Sequence, residues 1–102
     1  MLGFLKKLFG GSSTDYRALI DKGAVIVDVR TPGEFKEGHI PGSRNIPLDQ
    51  IGSKTAELKK AGKPVITVCR SGSRSGMAKA KLSASGLEVY NGGSWQSLIT
   101  KI

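Results

Sequence analysis

The sequence has only one cysteine and one histidine among its 102 residues. An intrachain disulfide is therefore excluded, and with it the class of small proteins that disulfides hold together. The four cysteine or histidine ligands of an ordinary structural zinc site are also missing. We expect no metal and no other cofactor, and any chemistry of Cys69 must proceed without a second cysteine from the same chain.

Acidic residues are scarce as well. Eight Asp and Glu stand against sixteen Lys and Arg, so the formal net charge is +8, and residues 58–87 contain no acidic residue at all. Such a surplus favours anionic partners, from small oxyanions to acidic proteins. The few aromatic residues do not alternate with these charges, which argues against binding of single-stranded nucleic acid by base stacking.

No apolar run approaches the length of a membrane span, and we expect a cytoplasmic protein. Residues 1–13 are predicted to form an amphipathic appendage, with Lys6 and Lys7 opposite a helical face made by Leu2, Leu5, Leu8 and Phe9. Two interpretations remain open for it: peripheral contact with a membrane surface or a partner, and a short helix that packs on the domain or frays. Residues 14–102 are predicted to form one domain.

Within residues 14–102, extended apolar segments alternate with helical ones. Strands are predicted at 24–29, 43–46, 64–69 and 87–90, and helices at 15–22, 32–36, 47–60 and 75–85, with a last helix after a turn at 91–93. This alternation predicts an α/β fold whose parallel sheet is covered by helices on both faces. Functional sites in such sheets form at the carboxyl ends of the strands, and Cys69 ends one strand.

The loop that follows Cys69 has the composition of an anion site. Small residues allow the backbone amides of a loop to approach a bound group, and the start of the next helix adds its dipole. Arg70 and Arg74 add two permanent positive charges. A thiol in this setting has a lowered pKa and reacts as the thiolate, so it needs no histidine base. The alternative for Cys69 is a small buried apolar residue that ends a strand. For His39 we expect a hydrogen-bonded structural role in its turn.

Three segments, in this order, resemble motifs of the rhodanese family. Residues 27–47, from Val-Asp-Val-Arg to Asn-Ile-Pro, resemble its first signature. Residues 69–74, Cys-Arg-Ser-Gly-Ser-Arg, are similar to its active-site loop, and residues 91–95, Asn-Gly-Gly-Ser-Trp, to its closing motif. Together the three segments span most of residues 14–102.

The resemblance implies a five-stranded, mainly parallel sheet flanked by helices on both faces. It also implies a thiosulfate:cyanide sulfurtransferase in which catalytic Cys69 takes the outer sulfur of a donor such as thiosulfate as a persulfide, and cyanide or a thiol removes it. By match to the motif, the substrate-binding residues are Arg70, Ser71, Gly72, Ser73 and Arg74. Asp28 and Arg30 are expected to support the site, with a purely structural pair as the alternative.

Loop length distinguishes a sulfurtransferase from a phosphatase. Phosphatases with a similar loop place five residues between cysteine and arginine, whereas four separate Cys69 from Arg74, which favours a sulfur substituent over phosphate. A single residue, Ser94, lies between Gly93 and Trp95, where the family often has more. For Trp95 we therefore expect packing rather than a place in the site wall. A persulfide carrier that delivers sulfur to or from a partner protein, with low turnover on small donors, remains the alternative function.

Overall fold

The computed structural model describes residues 14–102. The predicted appendage, residues 1–13, lies outside the described residues. The helices are α1 (Tyr16–Asp21), α2 (Pro32–Glu37), α3 (Ile51–Ala61), α4 (Ser73–Ala84) and α5 (Trp95–Ile99), with a 3-10 turn at Leu48–Gln50; the strands are β1 (Val25–Asp28), β2 (Arg44–Asn45), β3 (Val65–Cys69) and β4 (Val89–Ser94).

The four strands of residues 14–102 form one parallel sheet in the order β2-β1-β3-β4. The predicted α/β class and parallel pairing are confirmed. The expected number of five strands came from the family resemblance, whereas residues 14–102 offer only four extended apolar segments, and the structure has these four. Because all strands run in one direction, their carboxyl ends lie along a single edge of the sheet.

Apolar residues cover both faces of this sheet. Along β3, side chains alternate between the faces: Val65 and Cys69 join the core under α3 and α4, and Ile66 and Val68 join the core under α1 and α5. Helices therefore flank both faces, as predicted. Among the described helices, none has the length and apolar content needed to cross a bilayer.

The helix predicted at 47–60 begins only at Ile51, because residues 48–50 form the 3-10 turn. Two other boundaries that differ from the prediction lie at the edge where the strands end. The helix after the cysteine loop begins at Ser73 rather than Ser75. The segment at 91–93, predicted as a turn, belongs to β4, because a β-bulge places Gly92 between the pairs Thr67–Asn91 and Val68–Gly93. A Cβ on Gly92 would lie 2.9 Å from Ile66 Cγ2, so only glycine allows β4 to approach β3 this closely.

Candidate active site

Cys69 is the last residue of β3, and its side chain turns toward α4. The residue is only 1% exposed, and β4 pairs with it through Ser94. The chain leaves the strand through a short loop that ends at Gly72, whose φ of +102° is the left-handed conformation that glycine adopts without strain. This turn directs the first residues of α4 back toward the sulfur.

A main-chain amide and a serine hydroxyl contact the sulfur atom. The amide N–H of Gly72 donates to Cys69 Sγ at 3.0 Å, and Ser75 Oγ lies 3.4 Å from the same atom. Burial raises the pKa of the Cys69 thiol, but hydrogen bonds from Ser75 and from the amides of Gly72 and Ser71 outweigh it and hold the pKa below its ordinary value. The arrangement therefore favours the thiolate, the nucleophilic form of cysteine.

Behind the sulfur lies a polar network that the sequence analysis did not identify. Ser75 Oγ donates to Asn91 Oδ1 at 2.6 Å, and the amide N–H of Gly93 donates to the same oxygen at 2.9 Å. Asn91 Nδ2 donates in turn to the carbonyl of Gly72 at 3.2 Å. This asparagine thus links the cysteine loop to β4. The signal for this network in the sequence was Ser75 itself. It lies in the first turn of α4 and faces the strand that carries the cysteine.

Arg74, the arginine that closes the loop, is engaged by a partner outside the loop. Its guanidinium donates to both carboxylate oxygens of Glu34, at 2.7 and 3.0 Å. These bonds, together with the Thr31 amide, lower the pKa of Glu34 to about 2, and the same pair raises the pKa of Arg74. Glu34 lies in the first family motif, but its role beside the cysteine loop was not predicted.

Asp28 and Arg30 form a buried ion pair at the end of β1. Arg30 Nη2 lies 2.7 Å from Asp28 Oδ2, and the two side chains are 5% and 0% exposed. The same guanidinium donates to the carbonyls of Gly38 and Glu34. The pair therefore fixes the segment that carries α2, and through it the position of Glu34 beside the loop.

A polar pocket of about 340 Å³ opens at this edge of the sheet. Trp95 forms one wall and lies against Arg30, whose guanidinium carbon is 4.9 Å from the ring centroid. Arg70, the residue after the cysteine, is exposed and lines the same pocket. Trp95 also packs against the apolar core, so it has both the packing role that the sequence predicts and a place in the pocket wall.

The remaining polar residues of interest are peripheral. Ser71 and Ser73 are exposed, and their side chains make no hydrogen bond with any described residue. His39 is exposed, hydrogen-bonds through Nδ1 to the Phe35 carbonyl at 2.7 Å and stacks on the Phe35 ring. Within residues 14–102, no three His, Cys, Asp or Glu side chains are grouped to hold a metal ion.

Comparison with known proteins identifies the family. The model of the rhodanese-like domain matches residues 12–97. The uncharacterized protein YqhL of Bacillus subtilis is 45% identical over 67% of this chain and 54% of its own length. Thiosulfate sulfurtransferase GlpE of Pseudomonas syringae is 38% identical over 74% of this chain and 71% of its own.

Two further similarities are to a relative with a different name and to a solved structure. A Bacillus subtilis relative whose name describes a proposed sulfur carrier protein, YrkF, is 34% identical over 67% of this chain and 36% of its own length. A structure described as rhodanese with anions from E. coli superposes with a TM-score of 0.68 at 30% identity, over 78% of this chain and 92% of that one. The chain thus spans about half of YqhL, a smaller part of YrkF, and nearly all of the E. coli protein. By sequence and by fold, this chain belongs to the family of rhodanese-like domains.

Proposed function

We propose that this protein is a sulfurtransferase that moves a sulfane sulfur from a small donor such as thiosulfate to a thiophile, through a persulfide on Cys69. The observation that carries the proposal is the pair of contacts at the sulfur: a main-chain amide 3.0 Å from Sγ and a serine hydroxyl 3.4 Å from it. Both stabilise negative charge on the sulfur of the only cysteine in the chain. The similarity to a thiosulfate sulfurtransferase supports the same reaction.

The reaction has two displacement steps. The Cys69 thiolate attacks the outer sulfur of thiosulfate, the S–S bond of the donor breaks, and sulfite leaves with the bonding electron pair. Cyanide or a thiolate then attacks the outer sulfur of the persulfide, and the Cys69 thiolate is released for another cycle. No proton has to be delivered to either leaving group, which agrees with the absence of a histidine from the contacts of the sulfur.

The residues around the sulfur have separable roles in this proposal. The amide of Gly72 and the hydroxyl of Ser75 stabilise the charged Sγ of Cys69, both as the attacking thiolate and as the leaving thiolate when the persulfide is cleaved. Arg70, which is exposed in the pocket wall, attracts the oxyanion of the donor and releases it as sulfite. Arg74 contributes through its charge, which Glu34 partly neutralises.

The test is the mass of the intact protein after incubation with thiosulfate. We expect a gain of one sulfur, about 32 Da, on the reactive thiolate, and loss of this gain after addition of cyanide, with thiocyanate released. Cys69→Ser, which leaves no sulfhydryl in the chain, should show neither change. Thiocyanate formation by that variant at the rate of the unmodified protein would refute the proposal.

A second function, sulfur delivery to or from a partner protein, is favoured by one feature of the surface. Lys59, Lys60, Lys63, Lys79 and Lys81 are all exposed within residues 58–87, which have no acidic residue. An acidic partner would be attracted to this surface. If delivery to a partner is the main activity, exchange of the persulfide with an acidic carrier protein will be fast and salt-dependent while turnover on thiosulfate and cyanide stays slow. Removal of residues 1–13 should impair that delivery if the appendage takes part in it.

A further inference from the structure

Ser75 stands between two atoms that compete for its single proton. Its side chain is fully buried, and Oγ lies 2.6 Å from Asn91 Oδ1 and 3.4 Å from Cys69 Sγ. A serine hydroxyl has one proton to donate and lone pairs with which to accept. It can therefore donate to the amide oxygen or to the sulfur, but not to both at once.

Neighbouring groups fix which atom of the Asn91 amide faces Ser75. The amide N–H of Gly93 donates to Oδ1, and Nδ2 donates to the carbonyl of Gly72, which also accepts from the amide N–H of Gly76. An amide oxygen only accepts, so the 2.6 Å contact requires the hydroxyl proton of Ser75. While that proton points to Asn91, the thiol of Cys69 is the donor toward Ser75 Oγ.

Ionisation of the thiol reverses this arrangement. The thiolate has no proton and accepts hydrogen bonds strongly, and a hydroxyl that donates to an anion forms a stronger bond than one that donates to a neutral amide. Rotation about the Cβ–Oγ bond moves the Ser75 proton to the sulfur, and Ser75 Oγ and Asn91 Oδ1, no longer joined by a proton, then separate from their 2.6 Å contact. Asn91 Oδ1 keeps the Gly93 amide as donor, so no buried polar group loses its only partner.

We propose that Ser75 is a positioning residue for the sulfur of Cys69, and that Asn91 accepts its hydroxyl proton only while the sulfur is protonated. The two residues thus form a proton-directed switch that stabilises the thiolate when it forms. The catalytic consequence rests on the proposed function; the switch itself concerns only the protonation of the sulfur.

The charged groups around the sulfur are mostly paired with one another, so hydrogen bonds have the larger part in stabilising the thiolate. Those on the packed elements are Arg70 in the loop, Arg74 on α4, Glu34 on α2, and Asp28 and Arg30 at the end of β1. Arg74 is paired with Glu34 and Arg30 with Asp28, so two of the three cations have their charge opposed by a carboxylate. From β4, Asn91, whose side chain contacts the loop, is uncharged. The lowered pKa of Cys69 agrees with this balance.

The first test is the pH dependence of alkylation of Cys69 by iodoacetamide, which reports on one thiol because the chain has one cysteine. Ser75→Ala should move the midpoint to higher pH and slow alkylation below the midpoint by roughly 10- to 100-fold, the loss expected for a hydrogen bond to a charged group. The plateau rate at high pH should not fall, because a thiolate of higher pKa is at least as nucleophilic. Ser83→Ala, the same change at an exposed position of α4, should behave like the unmodified protein.

A folded Ser75→Ala protein that is less stable in urea but keeps the pH midpoint of alkylation would overturn the proposal. A serine with a merely structural role would have that effect. The second test needs no variant. In the unmodified protein at a pH where Cys69 is protonated, its S–H infrared stretch should lie below that of a thiol without a hydrogen bond; a band at the free-thiol frequency would refute the resting arrangement. Both readouts are independent of sulfur transfer, so a protein that titrates as expected but accepts no sulfur from thiosulfate would contradict the proposed function alone.

Discussion

Replacing Glu34 with glutamine removes the negative charge that faces Arg74 and changes little else. The side chain keeps its size, and glutamine at this helical position can still accept from the Thr31 amide, as Glu34 Oε1 does at 3.1 Å. Thr31 also keeps its own cap contact with the amide of residue 34. The substitution therefore isolates the charge of the ion pair from the capping of α2.

The structure sets the size of the effect. A carboxyl pKa held at about 2 instead of 4.5 would correspond to about 3 kcal/mol if the whole difference appeared as stability. The side chains of Arg74 and Glu34 are 33% and 28% exposed, so solvent screens part of this attraction. We expect Glu34→Gln to lower the free energy of unfolding at neutral pH by about 1 kcal/mol.

The pH dependence has a definite sign. The pKa of Glu34 is lower in the folded state, so its carboxylate stabilises the fold fully above pH 4.5 and loses this contribution as the pH falls toward 2. Urea unfolding of both proteins at several pH values measures the difference. We expect it to stay constant from pH 7 to about pH 5 and to shrink from there to pH 3. A difference that stays constant over this range would refute the assignment of the stabilisation to the charge.

Glu57→Gln is the matched control. Glu57 pairs with Arg44 at 2.6 Å, but the two side chains are 53% and 44% exposed on the open surface. Its loss should have a smaller effect than that of Glu34. An equal effect at both positions would mean that the partly buried setting of Arg74 beside the loop does not strengthen its ion pair with Glu34.

Two further substitutions test the frame of the site, both by urea unfolding. Asp28→Asn leaves the Arg30 guanidinium buried without its counter-charge and should lower the free energy of unfolding by about 3–5 kcal/mol. A loss below about 1 kcal/mol is typical of exposed ion pairs and would contradict the buried role of this pair. Gly92→Ala places a Cβ within 3.0 Å of β3 and should cost about 1–3 kcal/mol. Gly52→Ala, at an exposed position of α3 with no atom within 4 Å of the added Cβ, should instead stabilise the protein by up to about 1 kcal/mol.

Local patterns in the sequence predict the sheet well but not the end of its last strand. Buried β-branched runs such as residues 64–69 indicate strands, and the structure has a strand there from Val65 to Cys69. Asn91, Gly92 and Gly93 have the composition of a turn, yet they extend β4. The reason is the tight contact of Gly92 with β3, a tertiary feature that favours glycine for its lack of a Cβ rather than for its freedom to turn.

The site shows a similar division. Cys69 and its loop are recognisable because strand, cysteine, small residues and helix follow one another along the chain. Glu34 and Asn91 are not recognisable as neighbours of this loop, because 40 residues separate Glu34 from Arg74 and 16 separate Asn91 from Ser75. Only the parallel sheet, which brings the ends of β1, β3 and β4 to one edge, places them beside the loop.

These contacts change the physical account of the Cys69 sulfur. The sequence predicts that two arginines supply a strong positive field around Cys69. In the structure, Arg74 shares its charge with a carboxylate, and Arg70 is exposed to solvent, where screening weakens its field. The amide of Gly72 and the hydroxyl of Ser75, by contrast, contact the sulfur directly in a buried setting, where a hydrogen bond is stronger. Ionisation of Cys69 should therefore respond only weakly to added salt and strongly to loss of the Ser75 hydroxyl.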